Sequence, residues 1–221
     1  SQAERHRQSA AAAVMAVGGW HARLLGFRQD EALRSWLTEP DSLTARCQRA
    51  CRHFRVRVLK SAKDEPLADE LPHRRQAWVR EVVLECDGVP VIFAHTTLST
   101  AANGRLTRWL SRLGSRSLGS LLFTYPGFRR GVIEFRRLDR RHPLFQRAVV
   151  LGKSAEYLWA RRSMHRLGAQ QVLVTEVFLP AITRLADLAD DDLVLPLVAG
   201  AVQPTDADLV TDLDPAGLEG E

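Results

Sequence analysis

Residues 77–98 read AWVREVVLECDGVPVIFAHTTL, two apolar-rich runs joined by Asp87-Gly88. Asp-Gly supplies the two positive φ angles of a tight turn, so the stretch predicts an antiparallel hairpin that the rest of the chain must complete as a sheet. Further strands fit FRVRVLK from Phe54, GVIEFRRL from Gly131, AEYLWARRSMHRL over 155–167 and QQVLVTEVFLP over 170–180, the last two joined at Gly168-Ala169. Helices fit residues 4–16, EALRSWL closed by Pro40, and TARCQRACRHF capped by Asp41 or Ser42. Another runs through RLTRWLSRL from Asn103 to Gly114, and a short one from Ser117 to Phe123. The prediction is an α+β fold around a single six-stranded antiparallel sheet, with the Pro-containing loop 61–76 exposed.

A chain of 221 residues with 45% hydrophobic content can build one good core. We expect one domain over residues 1–185, with 1–30 as a helical extension, and an acidic, flexible tail over 186–221. The tail holds ten acids and no base after Arg184, which leaves 16 acids against 31 bases before it. That basic body favours an anionic partner. Nucleic acid is not expected, because the excess is scattered arginine with no zinc-finger or RNP-type spacing. No run approaches the ~20 apolar residues of a membrane span, so no membrane insertion is expected and the protein is read as cytoplasmic. Cys47, Cys51 and Cys86 lack zinc spacing and read as small buried residues, with neither a metal nor a disulfide. His95 reads as a satisfied strand histidine.

The last strand carries a puzzle. Alternation puts Val174, Glu176 and Phe178 on one face and Leu173, Thr175 and Val177 on the other, so Glu176 stands among apolar neighbours. On WVREVVLE the same rule groups Trp78, Arg80, Val82 and Leu84 toward the core, leaving Glu81 and Glu85 on a more polar face. An unpaired buried charge costs several kcal/mol. Two readings stand: Arg80 and Glu176 pair across the sheet, or each faces a cavity and holds one end of a polar ligand. A small aromatic acid suits the second, its carboxylate on the arginine fork and a hydroxyl on the glutamate. DSLT at 41–44 and SLGS at 117–120 add two helix starts whose free N–H groups favour an anion, although serine there is commonly just a cap. Arg161 and Arg162, adjacent on a strand, point opposite ways, so at most one faces a site.

In this order DSLT, WVRE, SLGSLLFT, Ile133-Glu134, RRS at 161–163 and TEVFLP resemble the chorismate pyruvate-lyase family from about Trp36 to Pro180. The resemblance implies that Arg80 binds a ring carboxylate, that Glu176 meets a hydroxyl, and that backbone amides at Leu43 and Leu118 complete the carboxylate site. Leu43 departs from the methionine frequent in the family, which matters little for a backbone contact. It also implies helical flaps closing over a buried ligand. The activity implied is a cofactor-free and metal-free elimination that turns chorismate into 4-hydroxybenzoate and pyruvate at the start of ubiquinone biosynthesis, in a monomer. The runner-up is a non-catalytic effector-sensing domain of similar sheet, which would bind such an acid without turning it over.

Overall fold

The computed structural model describes residues 19–186 apart from 25, 29, 71–75, 99–104, 116, 117, 120, 121, 123–126 and 169, and not the side chains of 105, 106 and 110. The expected helix over 4–16, the helix start at Ser117 and the acidic tail lie outside the described residues.

Helices α1 (Glu31–Leu37) and α2 (Leu43–Arg49) precede strands β1 (Phe54–Asp64), β2 (Ala77–Cys86) and β3 (Val89–Leu98). Next come α3 (Arg105–Arg112), β4 (Arg129–Arg130), β5 (Glu134–Asp139), α4 (Pro143–Val149), β6 (Tyr157–Leu167), β7 (Gln170–Phe178) and a 3₁₀ turn, Pro180–Arg184. Serine 42 rather than Asp41 caps α2, accepting from the Ala45 amide. The sheet is antiparallel throughout in the order β1-β2-β3-β7-β6-β4, with β5 also paired to β6. Asp87 and Gly88 have φ of 49° and 79°, so the hairpin turns where the sequence predicts.

Three expectations need correction. The sheet has seven strands, not six, because β4 adds two residues beside His165 and Arg166; a bridge that short leaves no alternation in the sequence. Strand β1 runs on to Asp64, and the loop beyond it is not simply exposed: Pro66 is buried, and the Glu70 side chain is only 3% exposed because it docks against the sheet. Helix α4 is an element that the strand-centred pattern passes over, although His142 caps it and Pro143 opens it.

These covers decide how the sheet is buried. On one face Trp20, Leu144, Phe145 and Ala148 pack on Val83, Phe93, Ala160 and Val177. The other face carries two apolar clusters. One joins Trp36, Leu37, Leu43 and Cys47 to Val82, Leu84, Ile92 and Phe178. The second joins Trp109, Leu113, Leu118 and Leu122 to Leu98, Val172 and Val174. Both sides of the central strands are therefore dry, and Glu81 and Glu85 are buried rather than solvated. The polar residues considered next lie on the face with the two clusters.

Candidate active site

Register and alternation define the group. Arg80 sits opposite Thr96, Thr96 opposite Val174, and Val174 opposite Ser163; one pleat away, Val82, Ala94, Glu176 and Arg161 form the next row. Arg80 and Glu176 thus share a face, two strands and two residues apart. Strand spacing and rise put their backbones about 10 Å apart across the sheet and about 7 Å along it, enough to hold a six-membered ring between long side chains. They are not each other's partner, which excludes the direct cross-sheet pair.

Arg80, 3% exposed, donates from Nη2 to the carbonyl of Gly114 at 2.9 Å. Gly114 has φ of +57° just past the end of α3, so the carbonyl belongs to the turn that leaves the covering helix, and Arg80 fastens that cover to the sheet. Burial pushes the Arg80 guanidinium down to about 10.

Glu176 is answered by Arg161, its cross-strand neighbour: Nε of Arg161 donates to Oε2 at 2.7 Å. Arg161 is 1% exposed, and its Nη1 also donates to the carbonyls of Glu39 at 2.6 Å and Leu37 at 3.4 Å, which ties the link between α1 and α2 to the sheet. Arg130 lies nearby, donating to Ser163 Oγ at 3.1 Å and to the Pro40 carbonyl at 2.7 Å. Burial, and then the charge of Arg161, lower its guanidinium below the ordinary range. His165 falls to about 4 through burial and the charges of Arg130 and Arg161, so it is neutral at pH 7. The strands therefore gather two guanidiniums, Arg130 and Arg161, about Glu176 and set Arg80 further along the same face, and such a field favours a ligand with more than one negative charge.

Of the remaining expected contacts, Leu43 is the first residue of α2 and 1% exposed, and Leu118, 4% exposed, has helical geometry. They belong to the two different apolar clusters, at opposite ends of the face. The residues that sequence reasoning missed are Arg130, Ser163 and Thr96, and it left Arg161 undecided from Arg162. The choice was readable: Leu167 pairs with Gln170, the nearest partners that the sequence break at Gly168 allows, and hence, counting back, Arg161 pairs with Glu176. Arg162 points to the other face, where it meets Glu134 at 2.8 Å and the Asp69 carbonyl at 2.8 Å and lies over the Trp20 ring.

That opposite face is polar but closed. His95 lies between Glu81 and Glu70, at 2.9 Å from each, and Arg147 also pairs with Glu81. Burial opposes charge on His95, but the two carboxylates outweigh it and raise the imidazole to about 9. Asp69 accepts from Trp20 Nε1 at 2.8 Å and Arg136 at 3.1 Å and contacts His142 at 3.3 Å. His95 is satisfied there, as its strand position suggests. A surface cleft bounded by Asp139, Arg141, Phe145 and Glu156 shares no residue with the Arg80–Glu176 group. Cys47, Cys51 and Cys86 are buried free thiols, and burial pushes Cys51 up to about 12. Among the described residues no group of three His, Cys, Asp or Glu is disposed to hold a metal ion, and no helix is long and apolar enough to cross a membrane.

The family model described as chorismate lyase matches residues 27–187. The probable chorismate pyruvate-lyase of Dechloromonas aromatica (strain RCB) is 70% identical over 170 residues, covering 75% of this chain and 97% of the relative. The one from Nitrosomonas europaea is 45% identical over 172 residues, covering 75% and 96%. Among solved structures, the C-terminal domain of the histidine utilization repressor from Pseudomonas syringae is similar at a TM-score of 0.44 and 12% identity, covering 61% of this chain and 96% of that one. At that score the likeness carries nothing about function.

Proposed function

The chain belongs to the chorismate lyase family, and from this premise we propose that Arg80 and Glu176 hold the two ends of chorismate while it is split into 4-hydroxybenzoate and pyruvate. The observation that carries this reading is the shared face. A guanidinium and a carboxylate, each with its own protein partner, rise from the same face two strands and two residues apart, on the side that carries the two apolar clusters.

Chorismate bears a ring carboxylate at one end. At the other, a carbon carrying hydroxyl and hydrogen stands beside the carbon that carries the enolpyruvyl ether. Breaking the ether C–O bond while that hydrogen leaves makes the ring aromatic and releases pyruvate. The driving force lies in the substrate, so the protein's task is to fix the conformation and exclude water. Arg80 takes the ring carboxylate, with the backbone amides of Leu43 and Leu118 as further donors. Glu176 accepts from the hydroxyl and aligns the adjacent C–H and C–O bonds. Neither acts as a classical general base, because the hydrogen passes to the enolpyruvyl methylene as the ether breaks. No cofactor has a part in this scheme. The product is the ring precursor of ubiquinone, so the reaction belongs at the entry to that biosynthesis, in the cytoplasm, and a site built within one chain needs no second subunit.

The test is direct. Purified protein mixed with chorismate is followed in the ultraviolet for 4-hydroxybenzoate, with pyruvate assayed in parallel. Equimolar appearance of both is expected, and saturable binding without turnover would overturn the lyase reading in favour of a sensor.

A further inference from the structure

We propose that Arg161 is a substrate-binding residue, and that its Nη2 receives the second carboxylate of chorismate, the one on the enolpyruvyl side chain. The inference rests on the lyase reading above and adds the residue that reading leaves without a name.

The argument begins with an incomplete set of hydrogen bonds. Arg161 is among the most deeply buried side chains of the protein, at 1% exposure. Its Nε is taken by Glu176, and its Nη1 by the carbonyls of Glu39 and Leu37. Its Nη2 is buried and has no hydrogen-bond partner. Folded proteins leave few such groups, since a dehydrated donor on a charged group is costly.

The direction of that donor follows from the shape of the guanidinium. The group is planar, and the N–H of Nε and one N–H of Nη2 leave the same edge in parallel. Because Nε points at Glu176, the Nη2 hydrogen points alongside the same carboxylate. Glu176 uses only one oxygen in this contact, so half of a two-pronged fork stands beside it.

The substrate supplies the matching group. In chorismate the ether-bearing carbon is bonded to the hydroxyl-bearing carbon, so a molecule whose hydroxyl meets Glu176 and whose ring carboxylate meets Arg80 carries its enolpyruvyl arm past Glu176. The arginine on that side, with a donor directed alongside the glutamate, is Arg161. The charges agree: Arg161 is close enough to disfavour the charge on Arg130, and a dianion relieves that repulsion where a monoanion does so only in part. Folding the arm toward Arg161 would also bring its methylene over the ring, where the migrating hydrogen must arrive.

Two ligands separate contact from mere support. 4-Hydroxybenzoate reaches Arg80 and Glu176 but has no second carboxylate, whereas 3-(carboxymethoxy)-4-hydroxybenzoate has one at the position of the ether. Dissociation constants for both are measured by calorimetry with wild type and Arg161→Gln. Any effect that Arg161 exerts through Glu176 weakens both ligands alike and cancels in their ratio. The wild type is expected to favour the dianion by about tenfold, and the variant to lose that preference. An unchanged ratio would overturn the assignment. Should the variant fail to fold, a crystal structure of wild type with the dianion decides. Its second carboxylate within about 3 Å of Nη2 supports the proposal, whereas a carboxylate on Arg130 or in solvent removes it. Turnover of chorismate by wild type is scored separately: 4-hydroxybenzoate formed alongside an unchanged ratio discards Arg161 alone, and none formed discards the lyase reading.

Discussion

Replacing Arg80 by methionine separates a residue kept for the fold from one kept for a ligand. The side chain is 3% exposed and its guanidinium is pushed from the ordinary arginine range down to about 10, with burial as the cause. The sign matters. A base whose folded value is depressed is held less favourably in the folded protein than in the unfolded chain, so it subtracts stability at every pH below about 10 and ceases to do so only as pH climbs toward the ordinary arginine range. At pH 7 the penalty is fully present and comes to about 3 kcal/mol. Methionine removes the dehydrated charge and keeps an unbranched apolar stem, but it forfeits the guanidinium's hydrogen bonding, the bond to Gly114 included, and a bond with a charged donor is worth about 1.5–3 kcal/mol. Gain and loss are of similar size, so urea unfolding at pH 7 should find Arg80→Met within about 2 kcal/mol of wild type. Binding should behave oppositely. Losing a charge-assisted contact to a carboxylate costs about 3 kcal/mol, or roughly a hundredfold in Kd for 4-hydroxybenzoate, read by fluorescence titration. A variant that lost several kcal/mol of stability yet bound 4-hydroxybenzoate normally would refute the reasoning and make Arg80 a structural residue.

Glu176→Gln keeps the shape but weakens both the pairing with Arg161 and the acceptance from the substrate hydroxyl; initial rates of 4-hydroxybenzoate formation should fall by roughly a hundredfold while the protein still folds. His95, raised from 6.5 to about 9 by Glu70 and Glu81, adds stability that is fully present below pH 6.5 and lost as pH rises through 9. Urea unfolding across that range should show wild type losing about 3 kcal/mol relative to His95→Gln, and parallel pH profiles would mean the imidazole is neutral in the fold. Ser42→Ala removes the cap of α2 and should lower stability by about 1 kcal/mol in the same assay.

The fold was legible wherever local rules act alone. Asp87-Gly88 dictates a turn whatever surrounds it, and the strands on either side follow from alternation. What stayed hidden needs tertiary partners. The docking of Asp69 and Glu70 depends on Trp20, His95 and His142, which come from distant parts of the chain, so their loop reads as an ordinary charged connection. Glu81 and Glu85 look solvated because the helix and loop that cover them are not encoded in β2. At the site, Arg80 and Glu176 announce themselves as charges on apolar faces. Leu43 and Leu118 do not, since a helix start with a serine reads the same whether or not a ligand is near it. Arg130 lies beyond alternation altogether, because β4 has no pattern to read, whereas Ser163 shares a face of β6 with Arg161 and goes unnoticed because a small neutral side chain there raises no question of charge.

A charge on a dry strand face is therefore an ambiguous signal, and completeness of neutralisation is what resolves it. Glu81 and Glu176 are both carboxylates in the middle of central strands, and both have basic neighbours. Glu81 itself is fully met: His95 at 2.9 Å and Arg147 both reach it, and Glu70 stands 2.9 Å from the other imidazole nitrogen as a countercharge, although its Oε1 makes no hydrogen bond. The Glu81 carboxyl is held below the ordinary range despite burial, as a group serving only the fold should be. Around Glu176 the set is open. One guanidinium meets one oxygen, the neighbouring donor on the same arginine has no acceptor, and the carboxylate keeps 16% of its surface. Under the proposed function, the bonding left open here is what a ligand's hydroxyl and second carboxylate would complete, and on that reading it is completeness, rather than the presence of buried charge, that sets the two faces of the sheet apart.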